Sequence, residues 1–312
     1  MATIPGIHHV TAITSDAQKN VDFYTGVLGL RLVKLTVNFD DPTSYHLYYG
    51  DENGSPGTIL TFFAWPGAHR GRIGAPQVST TAFAVPANSL DFWSKRLAER
   101  NISATSARDR FGERFVALMD PDGMQLELVA TASASDNRAW KGGAVPMEHA
   151  VRGFHSVTLS EEGYEHTARL LTDTMGFSAS KSESNRFRYQ AGNDAGIVDV
   201  LCVPDGRRGS MGAGVVHHIA FRTPDDAQQL AWRRTLAEGE FNVSPVMDRN
   251  YFHSIYFREP GGVLFEIATV APGFAIDESV QSLGSALRLP QQYESLRREL
   301  ENYLPKLKLP GG

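Results

Sequence analysis

Cysteine occurs once in 312 residues, at Cys202. A lone thiol excludes an intrachain disulfide and suits a reducing compartment, so a cytoplasmic protein is expected. Its neighbours, Ile197-Val198-Asp199-Val200-Leu201-Cys202-Val203, read as a strand in which the thiol serves as a small buried apolar group. Basic clusters are also missing. Lys and Arg number 30 against 35 Asp and Glu, the net charge is -5, and the cations are dispersed. That balance argues against a nucleic-acid partner. No apolar run approaches the roughly 20 residues of a membrane span, so no membrane partner is expected. Met1-Ala2-Thr3-Ile4-Pro5-Gly6 has neither the basic nor the apolar region of a secretory signal.

What is present is a globular composition, 42% hydrophobic and 21% charged, in a chain long enough for two domains. One unit recurs: a strand, an amphipathic helix, then several strands. The first copy opens at Ile7–Thr14, with a helix from Asp16 to Leu28 that stops at Gly29. The second opens at Ser79–Val85, with a helix near Ser89–Arg100 and the hairpin turn Asp120-Pro121-Asp122-Gly123. The third opens at Gly153–Ser160, and its helix stops at Met175-Gly176-Phe177, an echo of Leu28-Gly29-Leu30. The fourth opens at Val215–Arg222, with a helix from Pro224-Asp225 to Glu238-Gly239 and the turn Glu259-Pro260-Gly261-Gly262. A polar stretch around Ala132–Asn137 reads as linker. The expected division is an N-terminal domain at 1–131, a linker at 132–150, a C-terminal domain at 151–271 and a tail at 272–312. Charge pairs at i, i+3 and i, i+4 across Tyr293–Leu304 predict an exposed helix with one apolar stripe in that tail.

Two copies carry a doubled histidine in their first strand: His8-His9 in Ile7–Thr11, and His217-His218 in Val216–Ala220. A third strand, Gly262–Ala268, holds Glu266 among apolar residues. Buried imidazoles and carboxylates are costly unless something binds them. Two imidazoles and one carboxylate make a metal site with open positions. Strand alternation puts His9 with Ile7 and Thr11, and His218 with Val216 and Ala220, so the second histidine of each pair is the expected ligand.

Four βαβββ units in two pairs resemble the vicinal oxygen chelate superfamily over about residues 7–270. The resemblance implies an α+β fold of four modules in two paired domains, with the helical tail appended. It also implies a cup-shaped sheet from each pair of modules, with metal ligands on first and last strands. Equivalent first-strand positions are then His9, Thr81, His155 and His218. Last-strand positions are Thr61 or Phe62, Glu127, Asp199 and Glu266. Pairing modules one and four gives His9, His218 and Glu266; pairing two and three gives Glu127, His155 and Asp199. His46, His69, His149, His166 and His253 show no such pattern, and loop or surface readings dominate for most of them.

The motifs Gly6-Ile-His-His-Val-Thr11, Tyr45-His-Leu-Tyr-Tyr-Gly50, Arg152-Gly-Phe-His-Ser156 and Tyr256-Phe-Arg-Glu-Pro-Gly-Gly262 are similar to those of ring-cleaving dioxygenases acting on hydroquinones. That resemblance implies Fe(II), or Mn(II) in some members, on His9, His218 and Glu266. Zn or Ni would be acquired in handling. It places His8, Thr11, His217, Arg249 and Tyr256 around a small aromatic substrate and O₂, and a homodimer is the expected assembly. Two rivals stay open on the same fold. One is a glyoxalase-type lyase or isomerase, whose site uses a second carboxylate. The other is a non-catalytic ligand-binding module. Within the dioxygenases, a catechol-type site would draw its first histidine from module three, at His155.

Overall fold

The computed structural model describes residues 3–132, 138–192 and 196–310. The centre of the expected linker, residues 133–137, lies outside the described residues. The described residues form sixteen strands, with a helix after the first strand of each module. Module one holds β1 (Ile7–Thr14), β2 (Arg31–Val37), β3 (Tyr45–Gly50) and β4 (Ile59–Ala64). Module two holds β5 (Gln77–Pro86), β6 (Arg108–Arg110), β7 (Glu113–Met119) and β8 (Gln125–Thr131). Module three holds β9 (Phe154–Glu161), β10 (Ser178–Glu183), β11 (Arg186–Gln190) and β12 (Ile197–Cys202). Module four holds β13 (Val216–Thr223), β14 (Met247–Asp248), β15 (Phe252–Arg258) and β16 (Leu264–Pro272).

These strands form two eight-stranded sheets. One runs β14-β15-β16-β13-β1-β4-β3-β2 and the other β10-β11-β12-β9-β5-β8-β7-β6. Module one therefore pairs with module four, and two with three. Each sheet draws one module from either side of residues 132–150, so that boundary divides the sequence but not the sheets. The first strands of partner modules are antiparallel neighbours at the middle of each sheet, β1 beside β13 and β5 beside β9. Within every module the last strand runs parallel to the first.

The helices start where a side chain can take an orphan amide. Asp16 accepts from the Lys19 amide at 3.1 Å before α1 (Ala17–Val21), and Asp225 from Gln228 at 2.8 Å before α4 (Asp226–Glu238). The expected helices in modules one and three share a detail that periodicity does not show. After α1 the chain widens into a π turn at Asp22–Val27, and after α3 (Glu165–Arg169) it does so at Leu170–Thr174. Both end on a glycine with positive φ, Gly29 at 73° and Gly176 at 79°. Module two contributes α2 (Leu90–Glu99), which buries Leu90, Trp93 and Leu97.

The tail packs on module one. Residues Gln291–Leu296 form a 3₁₀ turn leading into α5 (Arg297–Tyr303), shorter than the single helix expected. Leu300 and Leu304 are buried, and the Tyr293 hydroxyl donates to the Phe39 carbonyl at 2.8 Å. Lys34, fully buried on β2, pairs with Asp277 at 2.5 Å and with Glu278. Cys202, expected to be buried, is half-buried at the end of β12, where the strand runs out of the core. Among the described residues no helix is long and apolar enough to cross a membrane.

Candidate metal centre

The antiparallel register sets Thr11 opposite His218 and His9 opposite Ala220, so the two histidines occupy mirrored positions about the sheet centre. The parallel register of β13 and β16 then sets Glu266 beside Ala220. The Nε2 atoms of His9 and His218 lie 3.3 Å apart. Glu266 Oε2 is 3.3 Å from His9 Nε2 and 3.0 Å from His218 Nε2. All three residues are buried. Among the described residues no other group of three or more His, Cys, Asp and Glu side chains converges in this way.

Each inner imidazole is braced by its chain neighbour. His8 Nδ1 sits 2.9 Å from His9 Nδ1, and His217 Nδ1 sits 2.8 Å from His218 Nδ1. Burial, followed by the charge of the adjacent histidine, pushes both His8 and His217 down to about 3. They are neutral. With an Nδ1 lone pair on each outer ring, the inner Nδ1 would carry the N–H and the inner Nε2 would be left for a metal.

Burial opposes ionisation of Glu266, but positive charge at His9 and His218 holds it well below the usual carboxylate range, a charge that a bound metal ion would take over. Its Oε1 accepts from Ser254 Oγ at 2.5 Å, while its buried Oε2 has no hydrogen-bond partner. Three lone-pair donors thus meet in a closed interior, and one divalent cation satisfies all of them. The expected ligand set fits a metal ion.

The cavity beside these donors has about 30 Å³ of free space, room for a few water molecules and too little for an aromatic ring. Thr11, Phe39, Phe63, Phe252, Arg249 and Tyr256 contribute to its wall. Arg249 spans its edge, with Nη1 3.2 Å from Asp40 Oδ1 and Nη2 3.1 Å from Asp40 Oδ2. Its Nε donates to the Tyr256 hydroxyl at 3.4 Å. Burial disfavours the charge of Arg249, but Tyr256 and Asp40 together raise it above its ordinary value, so the guanidinium stays charged. Burial and the nearby Glu266 raise Tyr256, which stays a phenol. Tyr251 lies apart from this cavity, buried with its hydroxyl 3.0 Å from Asp277 Oδ2.

His46, given no site role from the sequence, lines this cavity, buried on β3. The available signal was the alternation Tyr45-His46-Leu47-Tyr48, which places His46 and Tyr48 on one face of the strand.

The second sheet corrects the expected equivalences. Its parallel registers pair Ala82 with Glu127 and Thr158 with Asp199, as Ala220 pairs with Glu266 and Thr11 with Thr61. Two residues before these partners stand Thr80, Ser156, His218 and His9. The counterparts of His9 and His218 are therefore Thr80 and Ser156, not Thr81 and His155. Arg110 grips both oxygens of Glu127, and Arg188 holds Asp199 at 2.7 and 3.1 Å. His155 bonds Ser156 Oγ at 3.0 Å and lies 3.6 Å from Glu113. This cup holds a cavity of about 970 Å³, but its carboxylates are already matched by guanidinium groups. Size does not mark the metal centre.

Residues 6–128 and 153–267 match the family model described as Glyoxalase/Bleomycin resistance protein/Dioxygenase superfamily. The chain is 50% identical over 300 residues to "Putative ring-cleaving dioxygenase MhqO" of Bacillus subtilis, covering 96% of this chain and 95% of that one. It is 36% identical over 305 residues to the chlorohydroquinone/hydroquinone 1,2-dioxygenase of Sphingobium indicum, covering 95% of each. A crystal structure from Bacillus subtilis superposes with a TM-score of 0.95 at 48% identity, over 99% of both chains. Glyoxalase I from Zea mays superposes at 0.61 with 13% identity, over 85% of this chain and 92% of that one, and so shares the fold.

Proposed function

Because the chain belongs to the glyoxalase/bleomycin resistance protein/dioxygenase superfamily, we propose that it is a ring-cleaving dioxygenase inserting both atoms of O₂ into a hydroquinone or related dihydroxyaromatic. In this proposal His9, His218 and Glu266 hold one Fe(II) ion, with Mn(II) suited to the same donors. One observation carries the reading. Thr61, a residue unable to act as an anionic ligand, occupies the position mirrored to Glu266. A glyoxalase-type site uses a second carboxylate there. With only three protein donors, a bound divalent ion would keep coordination positions free for other ligands. Fe(II) held by His9, His218 and Glu266 would supply Lewis acidity toward a phenolic oxygen and reducing power toward O₂.

The remaining residues have separable tasks. His8 and His217 fix the tautomer and orientation of the two metal-binding rings. Held near 3, they are weak bases, so they orient rather than take the phenol proton. Arg249 keeps a positive charge at the cavity and stabilises an oxyanion developing on the ring. Tyr256, kept as a phenol, can donate a hydrogen bond to a ring oxygen. Phe39, Phe63 and Phe252 give the flat apolar walls an aromatic substrate needs.

The test is oxygen uptake by anaerobically purified protein loaded with Fe(II). Stoichiometric consumption of O₂ with methylhydroquinone, and loss of it in His218→Ala, is expected. Uptake absent across a panel of hydroquinones and catechols would overturn the proposal in favour of a lyase or a binding module.

A further inference from the structure

We propose that His46 is a positioning residue that fixes the polarity of the Thr11 hydroxyl, so that Thr11 donates its proton to an oxygen of the ring bound beside the metal. The inference rests on the dihydroxyaromatic reading of the ligand and adds a hydrogen-bond chain that recognises it.

The chain has four members. The Tyr48 hydroxyl lies 2.9 Å from His46 Nδ1. His46 Nε2 lies 2.7 Å from Thr61 Oγ1. Thr61 Oγ1 donates to Thr11 Oγ1 at 3.0 Å. Tyr48, Thr61 and Thr11 are at most 1% exposed and His46 is 7% exposed, so the chain lies inside the protein.

The direction of every proton follows from one end. Among the described residues the Tyr48 hydroxyl has no other hydrogen-bond partner. A buried hydroxyl proton left unpaired is costly, so Tyr48 donates to His46 Nδ1. Nδ1 is therefore an acceptor. Burial pushes His46 well below its ordinary value, the ring is neutral, and its single proton sits on Nε2. Nε2–H donates to Thr61. Thr61 accepts on one side and spends its own proton on Thr11. Thr11 is then an acceptor toward the protein, and among the described residues its own proton meets no acceptor.

Thr11 stands two residues beyond His9 on β1 and lines the metal cavity. Its remaining proton serves whatever enters that cavity. A donor with fixed polarity favours an oxygen acceptor, such as a phenolate or second hydroxyl oxygen, over a C–H edge. Reversing the chain would leave the Tyr48 proton stranded and turn the Thr11 proton inward.

Two measurements test this on the whole protein. Nitrogen-15 NMR of the histidine rings is expected to show His46 as the Nε2–H tautomer; the Nδ1–H tautomer overturns the chain. Anaerobic Fe(II)-loaded protein is then titrated with methylhydroquinone and with 3-methylphenol, which lacks the second oxygen. The wild type is expected to prefer the first by about 10-fold or more. His46→Phe removes the donor to Thr61, lets the Thr61–Thr11 hydrogen bond run in either direction so that Thr11 can turn its proton inward, and should reduce that preference to about threefold or less, with metal content unchanged. Thr61→Ser keeps the relay hydroxyl and should keep the preference of the wild type, and Thr61→Val, which offers Thr11 no inward acceptor, should keep it too. Equal affinity of the wild type for the two rings, or full discrimination in His46→Phe, overturns the inference. Retained discrimination in the wild type without oxygen uptake overturns the dioxygenase reading and leaves this inference standing.

Discussion

His217 and His218, adjacent in sequence, face each other through their Nδ1 atoms at 2.8 Å, and His8 and His9 repeat the contact at 2.9 Å. Adjacent strand residues normally point to opposite faces. Here the outer imidazole of each pair reaches the inner one, and as an acceptor it would leave the inner Nε2 free for a metal.

Removing that acceptor should loosen the metal without deleting a ligand. His217→Ala or His8→Ala is expected to weaken metal binding by about 10- to 100-fold. Competition with a chromogenic chelator measures it. Unchanged affinity in both variants would remove the bracing role.

The Arg249–Asp40 pair lies at the edge of a cavity too small for an aromatic ring, so freeing Arg249 is expected to ease ring entry. The Asp40 side chain is 65% exposed, and Asp40→Asn should change folding stability by less than about 1 kcal/mol in urea unfolding. The same variant should bind methylhydroquinone faster in anaerobic stopped-flow traces. Unaltered association would show that the pair does not gate the cavity.

Away from the site, Thr167 Oγ1 lies 2.7 Å from Glu161 and 2.6 Å from Glu259, two buried acids on different modules. Burial, with the charge of Glu259, raises Glu161 to about 8. Its folded value lies above its ordinary value of 4.5. The folded state then binds more protons than the unfolded state between those values, and stability falls as pH rises through that window. Unfolding free energy measured from pH 5 to 9 should show the decline, and Glu161→Gln should flatten it. An equally steep decline in the variant would assign it elsewhere.

Lys34 has no exposed side-chain surface and meets Asp277 and Glu278 at the start of the tail. Lys34→Ala leaves Glu278 buried without that partner. A loss of about 3–5 kcal/mol is expected in denaturant unfolding. A loss below about 1 kcal/mol would mean that the tail is held by its apolar contacts alone.

The repeat, its glycine stops and its turn residues made four modules legible, because each leaves a local chemical mark. Three of the four edge strands, β6, β10 and β14, left none. Ser178–Glu183 is exposed along its whole length, and β6 and β14 have only 3 and 2 residues, so burial imposes no alternation on them. At the metal centre, alternation separated His9 from His8 and His218 from His217. The same logic slipped by one residue in the second sheet, where Thr81 and His155 stood in for Thr80 and Ser156. A one-residue shift moves a side chain to the other face, and only the registers of β5 and β9 fix it. His46 escaped notice because its partners Thr61 and Thr11 are distant in sequence and meet it only across β3, β4 and β1.

The central claim is one metal held by the first and fourth modules, with none in the second cup. Metal analysis of chelator-stripped protein reloaded anaerobically with Fe(II) tests it most directly. The predicted result is about one ion per chain in the wild type and in His155→Ala, and nearly none in His218→Ala or Glu266→Ala. Two ions per chain, or metal lost from His155→Ala and kept in His218→Ala, would contradict it.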